Sequence, residues 1–179
     1  RTNIFNYKEQ IHAGYTQYSN AYKKFSYQFG VRMEETFIQS KLINTGQNYD
    51  RHYRRFFPTM FLTQELKNGQ SLQLNYSRRI NRPSFGLLNP FPDYGDLRNI
   101  HIGNPFLNPE MVNSFEFNYI KYAKKSTITA SVYYRHVDNA FRRVFTVYPN
   151  GISYLRFANV TQVDSYGLDA TATTKLYDF

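Results

Sequence analysis

Three arginines, Arg78, Arg79 and Arg82, follow a stretch of alternating polar and apolar residues. Two aspartates, Asp93 and Asp96, come soon after them in the same long polar segment. Arginine presents a planar fork of donors that grips a phosphate or a carboxylate in bidentate fashion. The arginines therefore suit phosphate groups or an anionic ligand, and these five side chains are our candidate ligand-facing residues. The alternative is that the arginines only cover polar loops.

The sequence contains no pattern that indicates catalysis or a bound metal. The four histidines, at positions 12, 52, 101 and 136, lie far apart and lack a partner at ligand spacing. Glu34 and Glu35 are adjacent, so on a strand their carboxyl groups point to opposite faces and cannot share a proton. Cysteine is absent, and we find no nucleophile elbow or glycine-rich phosphate loop. We expect neither an enzyme nor a cofactor.

The composition excludes a transmembrane helix but is rich in aromatic rings. Mean hydropathy is −0.61, and no apolar run approaches the about 20 residues that a membrane-spanning helix needs. Yet 17 Tyr and 16 Phe occur among 179 residues, with no Trp. Membrane β-barrels use such amphipathic rings in girdles at both interfaces. The net charge of +9 also suits a nucleic-acid binder.

Side-chain polarity alternates with a period of two along most of the chain, which predicts β-strands. We predict seven strands, at about 4–18, 24–38, 56–66, 70–80, 112–122, 127–137 and 160–174, with a further hairpin between the last two. Most have about 11–15 residues, more than the about 9–11 that a tilted strand needs to cross a bilayer. Pro58 falls at the start of the third strand, where a missing donor is tolerated.

The alternation also divides the side chains into two faces. Rings and aliphatic side chains share one face of each strand, and polar side chains share the other. We expect the rings to lie opposite Arg32 and Arg135, with His12 and Glu116 also opposite the rings. On the first strand the ring face would hold Ile11, Ala13 and Tyr15. We expect Arg32 and Glu34 to belong to an ion-pair lattice rather than to a ligand site.

The connections between the predicted strands alternate between short and long. Three are tight turns, SNAYKK, KNGQ and AKKS, and the other three have roughly 17, 31 and 22 residues. An up-and-down barrel shows this alternation when one rim has tight turns and the other carries functional loops. The predicted fold class is therefore all-β: an antiparallel up-and-down transmembrane β-barrel segment of about seven long strands.

The segments YSRRINRPSFGLLNPF and NIHIGNPFLNPE resemble the barrel of TonB-dependent outer-membrane receptors of Gram-negative bacteria, in the subgroup described as outer-membrane β-barrel family proteins. The segments FSYQFGVRMEET, VYYRHVDN and SYGLDA are similar to the same family. The most specific match is a loop motif of six residues: Gly103, Asn104, Pro105, Leu107, Pro109 and Glu110. We interpret this motif as structural, because its prolines fix an extended loop, Gly103 permits a turn and Glu110 can accept hydrogen bonds from backbone donors.

The resemblance implies a barrel of about 22 strands whose lumen is filled by an N-terminal plug. It also implies uptake of a scarce small ligand, driven by TonB through the plug region. The expected partners are outer-membrane lipid and lipopolysaccharide, and no nucleic acid. Because about seven strands are too few and no plug is recognisable in the sequence, we expect residues 1–179 to be part of one β-barrel domain, as an internal slice of a larger barrel.

Two other functions stay open at this point. A soluble basic β-protein could bind single-stranded nucleic acid, with rings stacked on bases and basic residues following the phosphates. That function requires rings and basic residues on one face. A surface carbohydrate-binding module would instead carry a few aromatic residues on loops. The fold does not fix the identity of a transported ligand.

Overall fold

The computed structural model describes residues 3–160 and 162–174, most of which form strands. The main sheet has seven strands in the order β1-β2-β3-β4-β6-β7-β10, each antiparallel to its neighbours. They are β1 (Phe5–Tyr22), β2 (Phe25–Leu42), β3 (Arg51–Glu65), β4 (Gln70–Asn81), β6 (Glu110–Tyr122), β7 (Ser126–Asp138) and β10 (Gln162–Thr174). The sheet is open, with β1 and β10 as its two edges.

A second sheet of three strands is built from the connections that follow β4 and β7. Its order is β5-β9-β8, with β5 (Asn99–Ile102), β8 (Phe141–Val147) and β9 (Ser153–Asn159). A four-residue helix, α1 (Phe85–Leu88), lies in the first of these connections. We call residues 82–109 and 139–160 together the loop cap. Among the described residues, no helix has the length and apolarity needed to cross a membrane.

The prediction of seven long antiparallel strands is confirmed, and the further hairpin is the pair β8 and β9. Most of the strands extend beyond at least one predicted end, and β1 and β2 have 18 residues each, whereas β10 begins two residues later than predicted. The predicted start of the third strand, near residue 56, was wrong, because β3 begins at Arg51. Its first residues, RHYRR, are mostly basic and show no alternation of apolar residues.

The prediction that Pro58 starts a strand was also wrong, since Pro58 lies in the middle of β3. The ladder between β3 and β4 stops one pair short of Pro58 and Arg78. Bonded pairs in an antiparallel ladder recur at every second residue, and at the turn the N–H of Leu66 donates to the carbonyl oxygen of Gln70. Counting from that pair in steps of two makes Pro58 and Arg78 a hydrogen-bonded position of the ladder. The residue at position 58 would have to donate its N–H there. Proline has no N–H, so the ladder ends there.

Beyond Pro58, toward the loop cap, the two strands part. Residues 51–58 of β3 pair only with β2, and residues 78–81 of β4 pair only with β6. Within the described part of the chain, no backbone hydrogen bond joins these two segments. We call this gap in the sheet the wall cleft.

Buried apolar side chains are concentrated in the loop cap rather than in the main sheet. Among the described residues, the buried apolar residues besides Pro105 are Leu42, Phe57, Leu88, Ile100, Leu107, Met111, Ala140 and Leu155. Five of these belong to the loop cap, and only Phe57 lies in the middle of a strand of the main sheet. The loop cap therefore has a small core of its own, whereas the main sheet leaves its large apolar residues exposed.

Candidate functional site

One face of the main sheet carries large apolar side chains in register from strand to strand. On β2 and β3, Met33 lies opposite Phe56. On the other side of the wall cleft, the ring centroids of Tyr76 and Phe115 are 4.6 Å apart, and those of Phe115 and Tyr134 are 6.2 Å apart. A second row crosses four strands through Leu74, Phe117, Val132 and Leu168. We call this side of the sheet the apolar face, and the opposite side the polar face.

The side chains of the apolar face are exposed despite their size. The exposed fraction is 54% for Phe56, 51% for Val132 and 82% for Leu168. A patch of this extent marks a surface that meets lipid or another apolar partner. On β2 the large apolar positions run from Phe25 to Met33. At the usual rise and tilt of barrel strands this run spans roughly 20 Å, close to the roughly 25 Å apolar band of outer-membrane barrels.

Polar residues border the apolar face at its loop-cap end. On β2 and β3, Glu35 Oε1 lies 2.9 Å from Arg54 Nη2 and 3.0 Å from His52 Nε2. On β7 and β10, His136 Nδ1 lies 2.7 Å from Asp164 Oδ1. Sequence spacing missed these histidine–carboxylate pairs because the partners come from neighbouring strands. Within residues 3–160 and 162–174, no group of three or more His, Asp or Glu side chains is placed to hold a metal ion.

The predicted assignment of faces was wrong for β1. Tyr15 lies directly opposite Arg32, and it therefore belongs to the polar face. The same register places Ile11 and Ala13 on the polar face. His12 belongs instead to the apolar face, where its ring centroid lies 6.0 Å from that of Phe37. Alternation shows which residues share a face, but only the register with a neighbouring strand shows which face that is.

Arg82 is held by ion pairs on the polar face. Its Nη2 donates to Glu34 Oε2 at 2.7 Å and to Thr36 Oγ1 at 3.2 Å. Its Nε lies 3.2 Å from Glu9 Oε1, and Glu34 also pairs with Arg32 at 2.8 Å. These contacts tie the start of the loop cap to β1 and β2, and they occupy the guanidinium group of Arg82.

The motif from Gly103 to Glu110 joins several parts of the loop cap. The buried side chain of Asn104 donates to the carbonyl oxygen of Phe157 at 3.1 Å, and its Oδ1 accepts from the N–H of Phe106 at 3.0 Å. A Cβ added to Gly103 would come within 3.0 Å of three backbone atoms of Asn89, so only glycine fits there. The loop thus depends on close backbone approach at one residue and on amide hydrogen bonds at the next.

The end of the motif is fastened to the strands of both sheets. Glu110 Oε1 accepts from the N–H of Phe141 at 2.6 Å, and its Oε2 accepts from the side chain of Asn81 at 2.7 Å. Arg51 of β3 donates from Nη1 to the carbonyl oxygen of Leu107 at 2.6 Å and from Nη2 to that of Pro105. Pro105 and Leu107 are themselves buried.

Arg79 lies on the polar face at a pocket of about 550 Å³, beside Arg32. Arg78 lines the same pocket at the edge of the wall cleft, but its register with Asn113 directs its side chain to the apolar face. The rings that line the pocket are Tyr15, Phe57 and Phe61. Within the part of the chain that the structure describes, the side chains of Arg78 and Arg79 have no hydrogen-bond or ion-pair partner, and Arg78 Nε is buried without one. The uncompensated guanidinium group of Arg79, next to these rings, suits an anionic ligand with flat apolar parts.

The two candidate aspartates lie apart from this pocket, in the loop cap. Asp93 Oδ1 accepts from the N–H of Gly95 at 2.9 Å. Asp96 Oδ2 accepts from the side chain of Asn99 at 2.8 Å, and its Oδ1 accepts from the N–H of Arg98 at 2.8 Å. These bonds, the one from the Asn99 side chain first, lower the pKa of Asp96. Both carboxylates shape their own turns.

Of the five candidate ligand-facing residues, Arg78 and Arg79 therefore line one pocket but point to opposite faces of the sheet, and Arg82, Asp93 and Asp96 lie elsewhere. Sequence reasoning missed Arg51, whose loop partners lie 54 and 56 residues away and leave no local signal. It also missed the rings around the pocket, which are Tyr15, Phe57 and Phe61. Tyr15 was detectable only through the register of β1 with β2.

Long antiparallel strands, an exposed apolar face of about bilayer height and long loops gathered at one end define the wall of an outer-membrane β-barrel. The chain belongs to the outer membrane protein beta-barrel family, whose match covers residues 1–179. This confirms the family and the fold expected from the sequence, and it places the protein in the outer membrane of a Gram-negative bacterium.

Three solved structures illustrate the similarity in fold. The copper transporter OprC matches with a TM-score of 0.75 at 14% identity, over 94% of this chain and 27% of that one. The hemophore receptor HasR of Serratia marcescens, in complex with its hemophore and heme, matches with a TM-score of 0.71 at 14% identity, over 92% of this chain and 31% of that one. The siderophore receptor PirA from Pseudomonas aeruginosa matches with a TM-score of 0.64 at 12% identity, over 97% of this chain and 41% of that one. The chain thus spans less than half of each. No curated protein sequence matches it.

Proposed function

We propose that this chain is part of the barrel of a TonB-dependent outer-membrane receptor that takes up a scarce small ligand. One observation carries the proposal: the same sheet has an apolar face of about bilayer height and, on its other side, a basic pocket with Arg79 and Arg32. Lipid covers the first surface, and the ligand meets the second. The chain is related to transporter and receptor barrels, and we propose for it a transport role without catalysis.

The segment belongs to one larger barrel domain in this proposal. Its two edge strands, β1 and β10, leave backbone groups without a ladder partner, and each such group costs several kcal/mol in lipid. Further strands of the same barrel would pair these edges, and a plug would fill the lumen and receive TonB. The fraction of the similar structures that the chain covers, between 27% and 41% in the three above, supports this arrangement.

The proposed orientation places the loop cap outside the cell and the short turns in the periplasm, as in other outer-membrane barrels. We expect a cysteine at Asn48 or Gly95 to react with a membrane-impermeant maleimide on intact cells. A cysteine at Asn68, in the turn between β3 and β4, should react only after the cells are broken. The opposite pattern would reverse the orientation.

Within the pocket, Arg79 is the residue that we expect to contact the ligand, because Arg78 lines the pocket but directs its side chain to the apolar face. Arg79 is exposed on the polar face and has no partner among the described residues. Arg82, Asp93 and Asp96 would then hold the loops around the ligand path without touching the ligand, since their polar groups are bonded within the protein.

The test uses the full-length protein in cells with and without TonB. Uptake of copper, heme and a ferric siderophore, the cargoes named for the similar structures, is measured separately. We expect TonB-dependent uptake of one of them, and a decrease on the order of tenfold with Arg79→Gln, because a charge-assisted contact is lost. Arg142→Gln, at an exposed arginine of β8, is the matched control and should change little. Equal uptake with and without TonB, or equal effects of the two variants, would contradict the proposal.

One observation favours a second function, binding of single-stranded nucleic acid. Rings and arginines do share the polar face at this pocket, which is the arrangement that stacking on bases requires. The exposed apolar face argues against it, because a soluble protein would have to cover that surface. Titration of the detergent-solubilised protein with a labelled oligonucleotide separates the two. Tight, salt-dependent binding that Arg79→Gln abolishes would favour nucleic acid.

A further inference from the structure

The wall cleft is a local exception in an otherwise continuous sheet. The ladder between β3 and β4 joins seven residue pairs, whereas each of the other ladders of the main sheet joins between 12 and 18. The N–H of Glu65 donates to the carbonyl oxygen of Lys24 at the β2 side, so odd-numbered residues of β3 bond to β2 and even-numbered residues face β4. The backbone N–H groups of Arg54 and Phe56 therefore point into the wall cleft, where no ladder partner meets them.

The lower end of the wall cleft lies at the level of the apolar face. Pro58, at the lower end of the cleft, pairs with Val31. The next pair on the same face toward the loop cap is Met33–Phe56, so the cleft begins beside large apolar side chains. A backbone N–H or C=O group that meets hydrocarbon without a partner costs several kcal/mol. The wall cleft must therefore hold polar matter that reaches below the top of the apolar face. Water or a polar head group would meet this requirement, and hydrocarbon would not.

The side chains around the wall cleft indicate the charge of that matter. Arg78 points to the apolar face beside the cleft, has no partner in the described chain, and its Nε is buried. Arg54 lies on the same face across the gap, fixed to Glu35 through Nη2, so its other donors are free to bind. His52 lines a pocket of about 550 Å³ in the upper part of the cleft. Glu35 offsets one of the two arginine charges. The same pocket is also lined by Asp50, Arg51 and Arg55, so the cluster as a whole remains positive.

Apolar side chains lie next to these cationic groups. Ile80 and Met111 line the same upper pocket, and Phe56 is exposed on the apolar face directly below Arg54. A site with arginine forks, free backbone donors and adjoining apolar surface matches an anionic amphiphile. In the outer leaflet of this membrane, the groups of that kind are lipid phosphates with acyl chains attached below them.

We propose that the wall cleft seats a phosphate group of an outer-leaflet lipid. Arg78 and Arg54 grip the phosphate from the two sides of the gap, the N–H groups of Arg54 and Phe56 donate to it or to its bound water, and the acyl chains extend along Phe56 and Met33. Pro58 keeps the site open, because a residue with an N–H at that position would extend the ladder toward Arg78. The proposal rests on the orientation given above and is independent of which ligand is transported.

Native mass spectrometry of the full-length receptor in detergent tests this proposal. The probes are bis-phosphorylated lipid A, its dephosphorylated form, and inorganic phosphate as a competitor. We expect retention of lipid A but not of the dephosphorylated lipid, and a decrease in retention on the order of tenfold in Arg54→Gln/Arg78→Gln, because two charge-assisted contacts are lost. Arg142→Gln/Arg143→Gln, which removes two arginines from β8, is the matched control. Displacement by millimolar inorganic phosphate would show a site for the free anion and overturn the lipid assignment.

A second measurement keeps the proposal open to test if the glutamine variants assemble poorly. A photo-crosslinking amino acid at Ile80, in the otherwise unchanged receptor in living cells, should form an adduct with lipopolysaccharide. The same probe at Val147, an exposed position of the loop cap, should not. No adduct at Ile80, equal adducts at both positions, or unchanged lipid A retention in a folded double variant would each overturn the proposal. Failure of TonB-dependent uptake would leave it standing, since that result concerns the polar face.

Discussion

The main sheet and the loop cap are stabilised in opposite ways. The sheet is held by continuous backbone ladders, and its large apolar side chains remain exposed, as Val132 and Leu168 show. The loop cap has short strands, and its order comes from buried side chains such as Leu107 and from amide contacts such as those of Asn104. In the sheet, the change in the free energy of unfolding on substitution should depend on whether the side chain meets lipid or water. In the loop cap it should depend on whether the new side chain fits among its packed neighbours.

The largest effect is expected from placing a charge on the apolar face. We predict that Val132→Arg destabilises the barrel by about 2–4 kcal/mol, the usual cost of Arg on the lipid face near the membrane midplane. Asp169→Arg is the matched control, because Asp169 is exposed and follows Leu168, the ladder partner of Val132, but points to the polar face. The measurement is the amount of heat-modifiable barrel in the outer-membrane fraction. Equal losses in the two variants would remove the distinction between the faces.

A somewhat smaller effect is expected from a single methyl group in the loop cap. In Gly103→Ala the new Cβ would meet the backbone of Asn89, and we predict a loss of about 1–3 kcal/mol, as for overpacking elsewhere. Gly86→Ala is the control, because a Cβ there has no neighbour within 4 Å. Protease resistance of the loop cap reports the difference. If both variants resist equally, the close approach at Gly103 is not what orders the loop.

The same comparison explains what the sequence could predict. The strands of the sheet were predictable because alternation is a local property, and every one of them appears in the main sheet. The face of β1 and the position of Pro58 within β3 were not, because each depends on the register with a neighbouring strand. Local pattern predicts an element, and pairing decides what the element faces.

The candidate site follows the same rule. Arg78 and Arg79 are adjacent in sequence and both line one pocket, but as neighbours on β4 they point to opposite faces, so alternation predicts only Arg79 for the polar face. Arg82 is only three residues further on, yet its partners Glu34 and Thr36 lie 48 and 46 residues away and draw it into ion pairs. No local pattern in the sequence predicts that Arg82 lies outside the pocket. The ligand-binding role of Arg78 and Arg79 stays a prediction.

The smallest effect is a pH dependence in the loop cap. The pKa of Asp96 is lowered by its hydrogen bonds from Asn99 and Arg98, so its contribution is present above the ordinary aspartate pKa of about 3.9 and is lost as pH falls through the lower folded value. We predict that Asp96→Asn loosens residues 93–99 at neutral pH and that the difference from wild type vanishes in acid. Hydrogen exchange of that segment, compared between the two proteins at each pH, measures it. A difference that persists well below the folded pKa would contradict this role.

Whether the apolar face meets lipid is tested most directly by site-directed spin labelling along β7. Single cysteines at positions 128 to 135 of the full-length protein in lipid vesicles are labelled, and collisions with oxygen and with a water-soluble nickel complex are recorded. We predict alternation with a period of two: oxygen collisions dominate at Val132 and Tyr134, and nickel collisions dominate at Ser131 and Arg135. Alternation of the opposite phase, or low collision rates at Val132 and Tyr134 with both reagents, would mean that this face packs against protein and would contradict the account.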